Sequence, residues 1–511
     1  MGPTYRDLIV RGAHGHRDRS ALTAGDRSMT FGEVDALSSR LANALIDFGV
    51  PPRSRVGLLL NNGLLSIPVD FACVKANLNR VPLNARLSVD EHARMLVEAR
   101  AGVLLYGADL RDRALALAEV VPELHAIPLE PAEPGEMALT ALAANASSEL
   151  PIVDVRPSDV VLTLFTSGTT GTLKAAQHTQ ASYAAICRNV MLNLMPARED
   201  DVMLHAASLI HASGVFVLPC WLRGARSVIM PSFEPVEYLR LLEAEPVTAI
   251  NLVPTMLQML LQQPGLADRD FSALRYVIYG ASPIPQPVLA RALEVFGRDR
   301  FFQYYGQTEC PLCITVLRPE DHAGARLRSC GKPCPDVELK LVDANGNDAR
   351  GREGEIAVRA PSMMAGYFNA PELDAEMRLP GGWLRTRDLG ALDDDGFLYL
   401  LDRTSDMIVT GGYNVYPREV EDVLLTHPAV QECAVVGVAD ETWVEAVAAV
   451  VVTGADVSEE ELIAFCRDKL ASYKKPRRVF FETALPKTAV GKISRKLLRD
   501  RYRDRETAAA P

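Results

Sequence analysis

Between residues 55 and 310, short apolar runs alternate with segments whose apolar residues recur at helical spacing. RVGLLL (55–60), GVLLYG (102–107), VVLTLF (160–165), TAINLV (248–253), RYVIYG (275–280) and RFFQYY (300–305) predict strands. PVEYLRLLEAE (235–245) and QPVLARALEVFG (286–297) predict helices between them. Strand–helix alternation of this kind predicts an α/β layered architecture with largely parallel sheets. After about residue 330 the pattern shortens into small strands and Gly-rich turns: GEIAVR, DDDGFLYLLDR and TGGYN. Beyond residue 417 the order becomes helix (REVEDVLLTHP), strand (ECAVVGV), strand (AVAAVVV), helix and strand. The second of these helices opens on SEEE (458–461), a capping-box pattern. A large N-terminal domain (1–401), a hinge (402–405) and a small α+β C-terminal domain (406–511) are expected.

Composition narrows the partners. A chain of 511 residues with 48% hydrophobic and 23% charged residues has the mix of a globular protein of two or more domains. A net charge of −11 argues against a nucleic-acid partner. No apolar run reaches the ~18 residues of a membrane span. The segment MGPTYRDLIVRGAHGHRDRS has no signal-peptide core and TAAAP carries no targeting tripeptide, so the cytoplasm is expected.

Four of the nine cysteines, Cys310, Cys313, Cys330 and Cys334, read C-x2-C-x16-C-x3-C, close to zinc-ribbon spacing. The first pair lies in ECPLCITV, which is expected to run on as a strand, so buried thiols are expected and zinc is not.

The stretch LFTSGTTGTLKAAQH (164–178) has the composition of a phosphate cradle: small residues, hydroxyls and a lysine. It is not a Walker loop, because Leu173 stands where the second glycine is required and Ala175 follows Lys174. It lies between VVLTLF and the helical run TQASYAAICRNVMLNL, so a helix N-terminus is expected to face the anion.

This stretch is the first of five glycine-bearing motifs, followed by YGASP (279–283), YYGQTE (304–309), RTRDLG (385–390) and PKTAVGKISRK (486–496). In this order, from TFGEVDALSSRLANAL (30–45) onward, the chain resembles the adenylate-forming superfamily of acyl-CoA synthetases, aryl-CoA ligases, adenylation domains and luciferases. In character it resembles a stand-alone acyl-CoA synthetase. The resemblance implies layered α/β sheets with a small barrel-like subdomain, and a mobile C-terminal domain. It also implies ATP, Mg²⁺ and coenzyme A as the molecules used.

The resemblance also implies roles. Thr166, Ser167, Gly168, Thr169, Thr170 and Gly171 would hold the β- and γ-phosphates, with Lys174 adding charge. Thr308 would meet the α-phosphate and Glu309 the magnesium, which suits a carboxylate and a hard cation. Gly280, Ala281, Ser282, Tyr305 and Gly306 would surround the adenine, while Asp388 and Arg403 would take the ribose. Lys492 would bridge the attacking carboxylate and the α-phosphate. The family pattern carries proline at 173, glycine at 175 and 402, and Asp or Lys at the hinge position 405; this chain has Leu173, Ala175, Asp402 and Ser405.

At the acid end, His211 in SLIHASGVF stands where amino-acid-activating domains carry an aspartate, and resembles the gate histidine of acyl- and aryl-CoA ligases. No arginine in SLIHASGVFVLP or YGASPIP is placed to pair a second carboxylate. Val215, Ala281, Gln303 and Leu312 leave a mostly apolar pocket, and Tyr304 is expected to shorten it. The expected substrate is a compact apolar monocarboxylate: aromatic, alicyclic, or short to medium in chain. Gly411, Gly412 and Tyr413 resemble the turn beside which pantetheine enters, and Lys474 in YKKP offers a cation to a nucleotide phosphate. Coenzyme A is the expected acceptor. Delivery to a carrier protein, a non-catalytic binding protein of the same fold, and assembly as a homodimer stay open.

Overall fold

The computed structural model describes residues 2–132, 136–167, 173–210, 212–349, 353–410, 413–440, 443–488 and 493–502. Two large sheets carry the N-terminal two-thirds. One is nine-stranded, and its central strands Val202–His205, Ala249–Leu252, Tyr276–Gly280 and Phe301–Tyr305 run parallel. Val202–His205, Ala249–Leu252 and Tyr276–Gly280 are buried at every position, as strands covered on both faces must be. That is why these strands read as continuous apolar runs in the sequence. The other sheet is seven-stranded, with Asn79–Pro82, Arg55–Leu59, Val103–Tyr106 and His125–Pro128 parallel.

The helices fit their positions. Phe31–Asp47 starts from Thr30, whose side chain and that of Glu33 cap each other's backbone N–H. Ser66–Lys75 is apolar nearly all round and buried from Ile67 onward except at Asp70. Its last residue, Lys75, is fully buried and its ammonium meets Asp35 Oδ1 (2.7 Å), Ser38 Oγ (2.8 Å) and Ser39 Oγ (2.9 Å). A buried charge is tolerated only with such partners.

A third, antiparallel sheet of five strands spans Glu338–Val342 to Leu398–Arg403, in the place of the expected small barrel-like subdomain. A fourth is built from residues after 407: Ile408–Thr410, Tyr413–Val415, Val430–Asp440, Val444–Thr453 and Arg478–Phe481. Helices Pro417–Leu424 and Glu459–Arg467 pack on it, and Ser458 with Glu461 forms the expected capping box. Its two apolar clusters contain no residue before Ile408, so this unit has cores of its own. Among the described residues, no helix is long and apolar enough to cross a membrane.

Two expectations are corrected. The stretch 164–178 does not pass from strand directly to helix. Leu173–Thr179 is a strand, paired antiparallel with Val160–Ser167, and the helix Gln180–Asn193 begins only after it. The edge of Leu173–Thr179 takes a further partner, Gly366–Tyr367, so its backbone groups are satisfied in extended form. ECPLCITV does not run on as a strand either. Leu312 has φ +56° and the Cys313 N–H bonds back to the Pro311 carbonyl (2.7 Å), a tight turn that delays the strand to Thr315–Leu317.

Candidate functional site

The parallel strands Tyr276–Gly280 and Phe301–Tyr305 end side by side, with Gly280 in register with Tyr304. A Cβ at Gly280 would fall 2.4 Å from the Tyr304 carbonyl oxygen, so only glycine allows this approach. The chain leaves the first strand through Ala281 (φ +68°) and Ser282, and the second through Gly306 into Thr308 and Glu309. Ligands of α/β sheets bind beyond strand ends of this kind.

Asp388 faces them from the strand Trp383–Leu392. Its Oδ2 accepts from the Tyr305 hydroxyl (2.7 Å) and from Gln307 Nε2, and its Oδ1 lies 3.3 Å from Arg403 Nε. Gln307 Nε2 also donates to the Thr386 carbonyl (2.7 Å). Burial raises the Asp388 pKa, while Arg403, Tyr305 and Gln307 pull it back. Asp388 holds the Arg403 guanidinium above its ordinary value in return.

Asp388 reaches this point through a bulge. Glu355 pairs with Leu389 and Ala357 with Arg385, so Ile356 alone faces Thr386, Arg387 and Asp388. Arg387 takes φ +58° there. Eight non-glycine residues have positive φ among the described residues, and three of them, Ala281, Leu312 and Arg387, belong to this site. For a non-glycine residue that conformation costs about 1 kcal/mol or more, and such strain collects at functional sites.

The Thr308–Glu309 turn is held from two sides. His178 Nε2 lies 2.7 Å from the Thr308 carbonyl, which can only accept, so the proton sits on Nε2. Burial lowers the His178 pKa and keeps the ring neutral. The Tyr367 hydroxyl donates to Glu309 Oε1 (2.5 Å), and the Met364 N–H to the Glu309 carbonyl (2.8 Å). Both clamps come from the paired strands around Lys174, whose neighbour across the ladder is Thr166. Burial lowers the Lys174 pKa and the Arg387 guanidinium lowers it further, against a pull upward from Glu309.

Val215, Tyr304 and Leu312 belong, with Tyr305, to one buried apolar cluster, against which Ala281 packs. The Tyr304 hydroxyl is buried facing the Asn251 side chain, outside strict hydrogen-bond geometry. Gln303 Oε1 is buried without a partner among the described residues, its Nε2 lying 3.8 Å from Cys330 Sγ.

In the C-terminal unit, Tyr413 stacks on Tyr473 with ring centroids 4.6 Å apart. Lys474 is not open to solvent anions as expected: its ammonium sits 2.7 Å from both oxygens of Glu419. Asp402 accepts from the Arg418 N–H (3.1 Å), and burial pushes its carboxyl up to about 6. The Ser405 carbonyl accepts from Arg499 on the last helix (3.3 Å).

Gly168, Thr169, Thr170, Gly171, His211, Gly411, Gly412 and Lys492 lie outside the described residues. All nine cysteines are buried and free. Burial pushes the Cys310 thiol up to about 12 and raises the Cys313 thiol well above its ordinary value, with Cys334 adding to both. Among the described residues no group of three or more His, Cys, Asp or Glu side chains is placed to hold a metal ion. The chemistry of Glu309 beside Thr308 nonetheless suits a hard cation that also takes oxygens from a phosphate.

The motifs do not single out Gln307, His178, Tyr367 or Arg387, although Gln307, His178 and Arg387 lie inside them. Tyr367 is 58 residues from Glu309, and His178 is 130 from Thr308, with no local signal for either contact.

The assembled geometry has known counterparts. Residues 9–368 match the AMP-binding enzyme family and residues 419–492 the AMP-binding enzyme C-terminal domain. The chain is 36% identical to the medium/long-chain-fatty-acid–CoA ligase FadD8 of Mycobacterium tuberculosis, over 98% of this chain and 90% of that one. It is also 36% identical to a feruloyl-CoA synthase of an Amycolatopsis species, over 96% and 98%. The solved structure of the amide bond synthetase McbA from Marinactinospora thermotolerans superposes with a TM-score of 0.89, at 33% identity, over 98% of this chain and all (100%) of that one.

Proposed function

Because the chain belongs to the AMP-binding enzyme family, we propose that it joins a compact, mostly apolar monocarboxylic acid to ATP as an acyl-adenylate and passes the acyl group to coenzyme A. Pyrophosphate leaves in the first step and AMP in the second. The observation that carries this reading is the cluster of Asp388, Tyr305 and Gln307 beside the braced Thr308–Glu309 turn. It sets an acceptor for ribose hydroxyls next to groups for a phosphate and a cation.

We assign the roles as follows. Asp388 and Arg403 hold the ribose, and the strand end around Gly280, Ala281, Ser282, Tyr305 and Gly306 receives the adenine. Thr308 donates to the α-phosphate, while Thr166, Ser167, Gly168, Thr169, Thr170, Gly171 and Lys174 hold the β- and γ-phosphates. Glu309 would hold Mg²⁺, which supplies positive charge to the phosphates when bound. Lys492 stabilises the charge that grows where the carboxylate attacks. His211, Val215, Gln303, Tyr304 and Leu312 surround the acid, and Tyr304 sets its length. The acid class draws on relatives named for medium/long-chain fatty acids and for a feruloyl group, combined with the buried Tyr304 ring at the acid end, which favours the compact members.

The second step uses the C-terminal unit, turned about residues 402–405, with Gly411, Gly412 and Tyr413 beside pantetheine. Lys474 must leave Glu419 to meet the nucleotide phosphate. We place the reaction in the cytoplasm, where ATP and coenzyme A are both held.

The test is pyrophosphate release across a panel of carboxylic acids, with and without coenzyme A. Compact aromatic, alicyclic and short-to-medium acids should drive release, and thioester should form with coenzyme A. Absence of acid-dependent release would falsify the enzymatic reading. Thioester formed only on the phosphopantetheine of a carrier protein would replace the acceptor. Ser405→Pro, which restricts φ at the joint, should spare pyrophosphate release and suppress thioester; normal thioester rates in that variant would move the hinge elsewhere.

A further inference from the structure

At Arg387, backbone and side chain make opposing demands. The bulge that aims Asp388 at Tyr305 needs one left-handed residue, and φ +58° at Arg387 supplies it. Glycine meets that need without strain, so the bulge accounts for the angle and not for the arginine. Nor does the backbone ask for a side chain. The Arg387 N–H donates to Glu355 Oε1 (3.1 Å) and its carbonyl accepts from the Thr404 N–H (3.0 Å), bonds any residue can make.

What arginine adds is a guanidinium against the helix Pro371–Met377, which packs on Gly366–Tyr367, the strand that braces Glu309. Its Nη2 lies 2.8 Å from Glu376 Oε1 and its Nε 3.1 Å from Met377 Sδ. The same guanidinium acts on Lys174, and on Tyr367, the residue that holds Glu309. Arg403 acts on Lys174 from the ribose side. Lys174, Arg387 and Arg403 stand on three strands, Leu173–Thr179, Trp383–Leu392 and Leu398–Arg403. The present partner is a weak hold: the Glu376 side chain is 67% exposed, so the pair is screened and exchangeable. The same planar fork of donors that meets a carboxylate also matches two phosphate oxygens.

We propose that Arg387 is a phosphate-binding residue, whose guanidinium leaves Glu376 for the β- and γ-phosphates of ATP and stays with the pyrophosphate as it departs. The assignment rests on the function proposed above. It makes the strained arginine a binding group that acts on the leaving half of the nucleotide and not on AMP.

Equilibrium titrations of the full chain with ATP, pyrophosphate and AMP in Mg²⁺ buffer test it, with a melting curve for each variant. Arg387→Gly relaxes the backbone, so its melting temperature should not fall. It should bind ATP and pyrophosphate roughly tenfold or more weakly, with AMP unchanged. Arg387→Lys should recover part of the loss. Glu376→Gln, which frees the guanidinium, should bind pyrophosphate as well as the natural chain or better. The assignment falls if Arg387→Gly leaves pyrophosphate binding intact, or weakens AMP as much as ATP. It falls also if Glu376→Gln weakens pyrophosphate as Arg387→Gly does, since the pair itself would then be what matters. A natural chain that binds neither ATP nor AMP overturns the function above, and this assignment with it; binding of both with no effect of Arg387→Gly overturns this assignment alone.

Discussion

Tyr304 and Tyr305 are neighbours on one strand, and their hydroxyls meet opposite surroundings. Tyr305 donates to Asp388 within a polar group that includes Gln307 and Arg403. The Tyr304 ring is buried in an apolar cluster with its hydroxyl facing the Asn251 side chain, and burial pushes its phenol up to about 12. Alternation along a strand sends successive side chains to opposite faces, so one element serves both. The nucleotide face is defined by bonds between fixed groups. The acid face is defined mainly by volume. Changes on the first should affect every acid alike, and changes on the second should re-rank acids and leave ATP alone.

The strongest test of that division is Lys492→Ala. Adenylation should fall roughly a thousandfold for every acid, measured as single-turnover pyrophosphate release, while thioester formation from supplied acyl-adenylate changes far less. An equal loss in both steps would remove Lys492 from its assigned place. Tyr367→Phe should follow. Losing the bond to Glu309 should raise the Mg²⁺ needed for half-maximal pyrophosphate release by roughly tenfold, with the ranking of acids and the melting temperature unchanged. An unmoved Mg²⁺ requirement would reduce that bond to packing.

Tyr304→Gly probes the acid face. A few methylenes at ~0.8 kcal/mol each should shift kcat/KM toward longer acids by about an order of magnitude, with the KM for ATP nearly constant. No gain for longer acids would mean that Tyr304 does not close the pocket. The smallest effect is expected from His178→Gln, whose amide can still donate to the Thr308 carbonyl. It should stay within about threefold of the natural activity, while His178→Leu, which strands a buried acceptor at a cost of about 1–3 kcal/mol, should lose more. Equal activities for the two variants would show that the bond does not position the turn.

The nucleotide face was the legible one, for a physical reason. Thr308, Glu309 and Asp388 sit in motifs whose local composition marks a turn with polar work to do, and the buried parallel strands around them are continuous apolar runs. Contacts that cross the sequence left no such mark. KAAQHT reads as the approach to a helix until Val160–Ser167 and Gly366–Tyr367 pair with it on either side. The bulge at Arg387 depends on an unequal count of residues against Ile356, which no single strand reveals. Lys474 looked available to a phosphate because Glu419, 55 residues away, is invisible as its partner from the motif alone.

The burial of all nine cysteines has a practical reach. Thiols enclosed in apolar surroundings are shielded, so a maleimide dye finds nothing to label on the folded native chain. Two cysteines introduced at exposed positions, Leu192→Cys on the large unit and Leu497→Cys on the last helix, would then be the fast-reacting thiols in the molecule. A donor and acceptor fluorophore attached there would read the distance between the two units one molecule at a time, through a whole turnover, with every natural sulfur left in place.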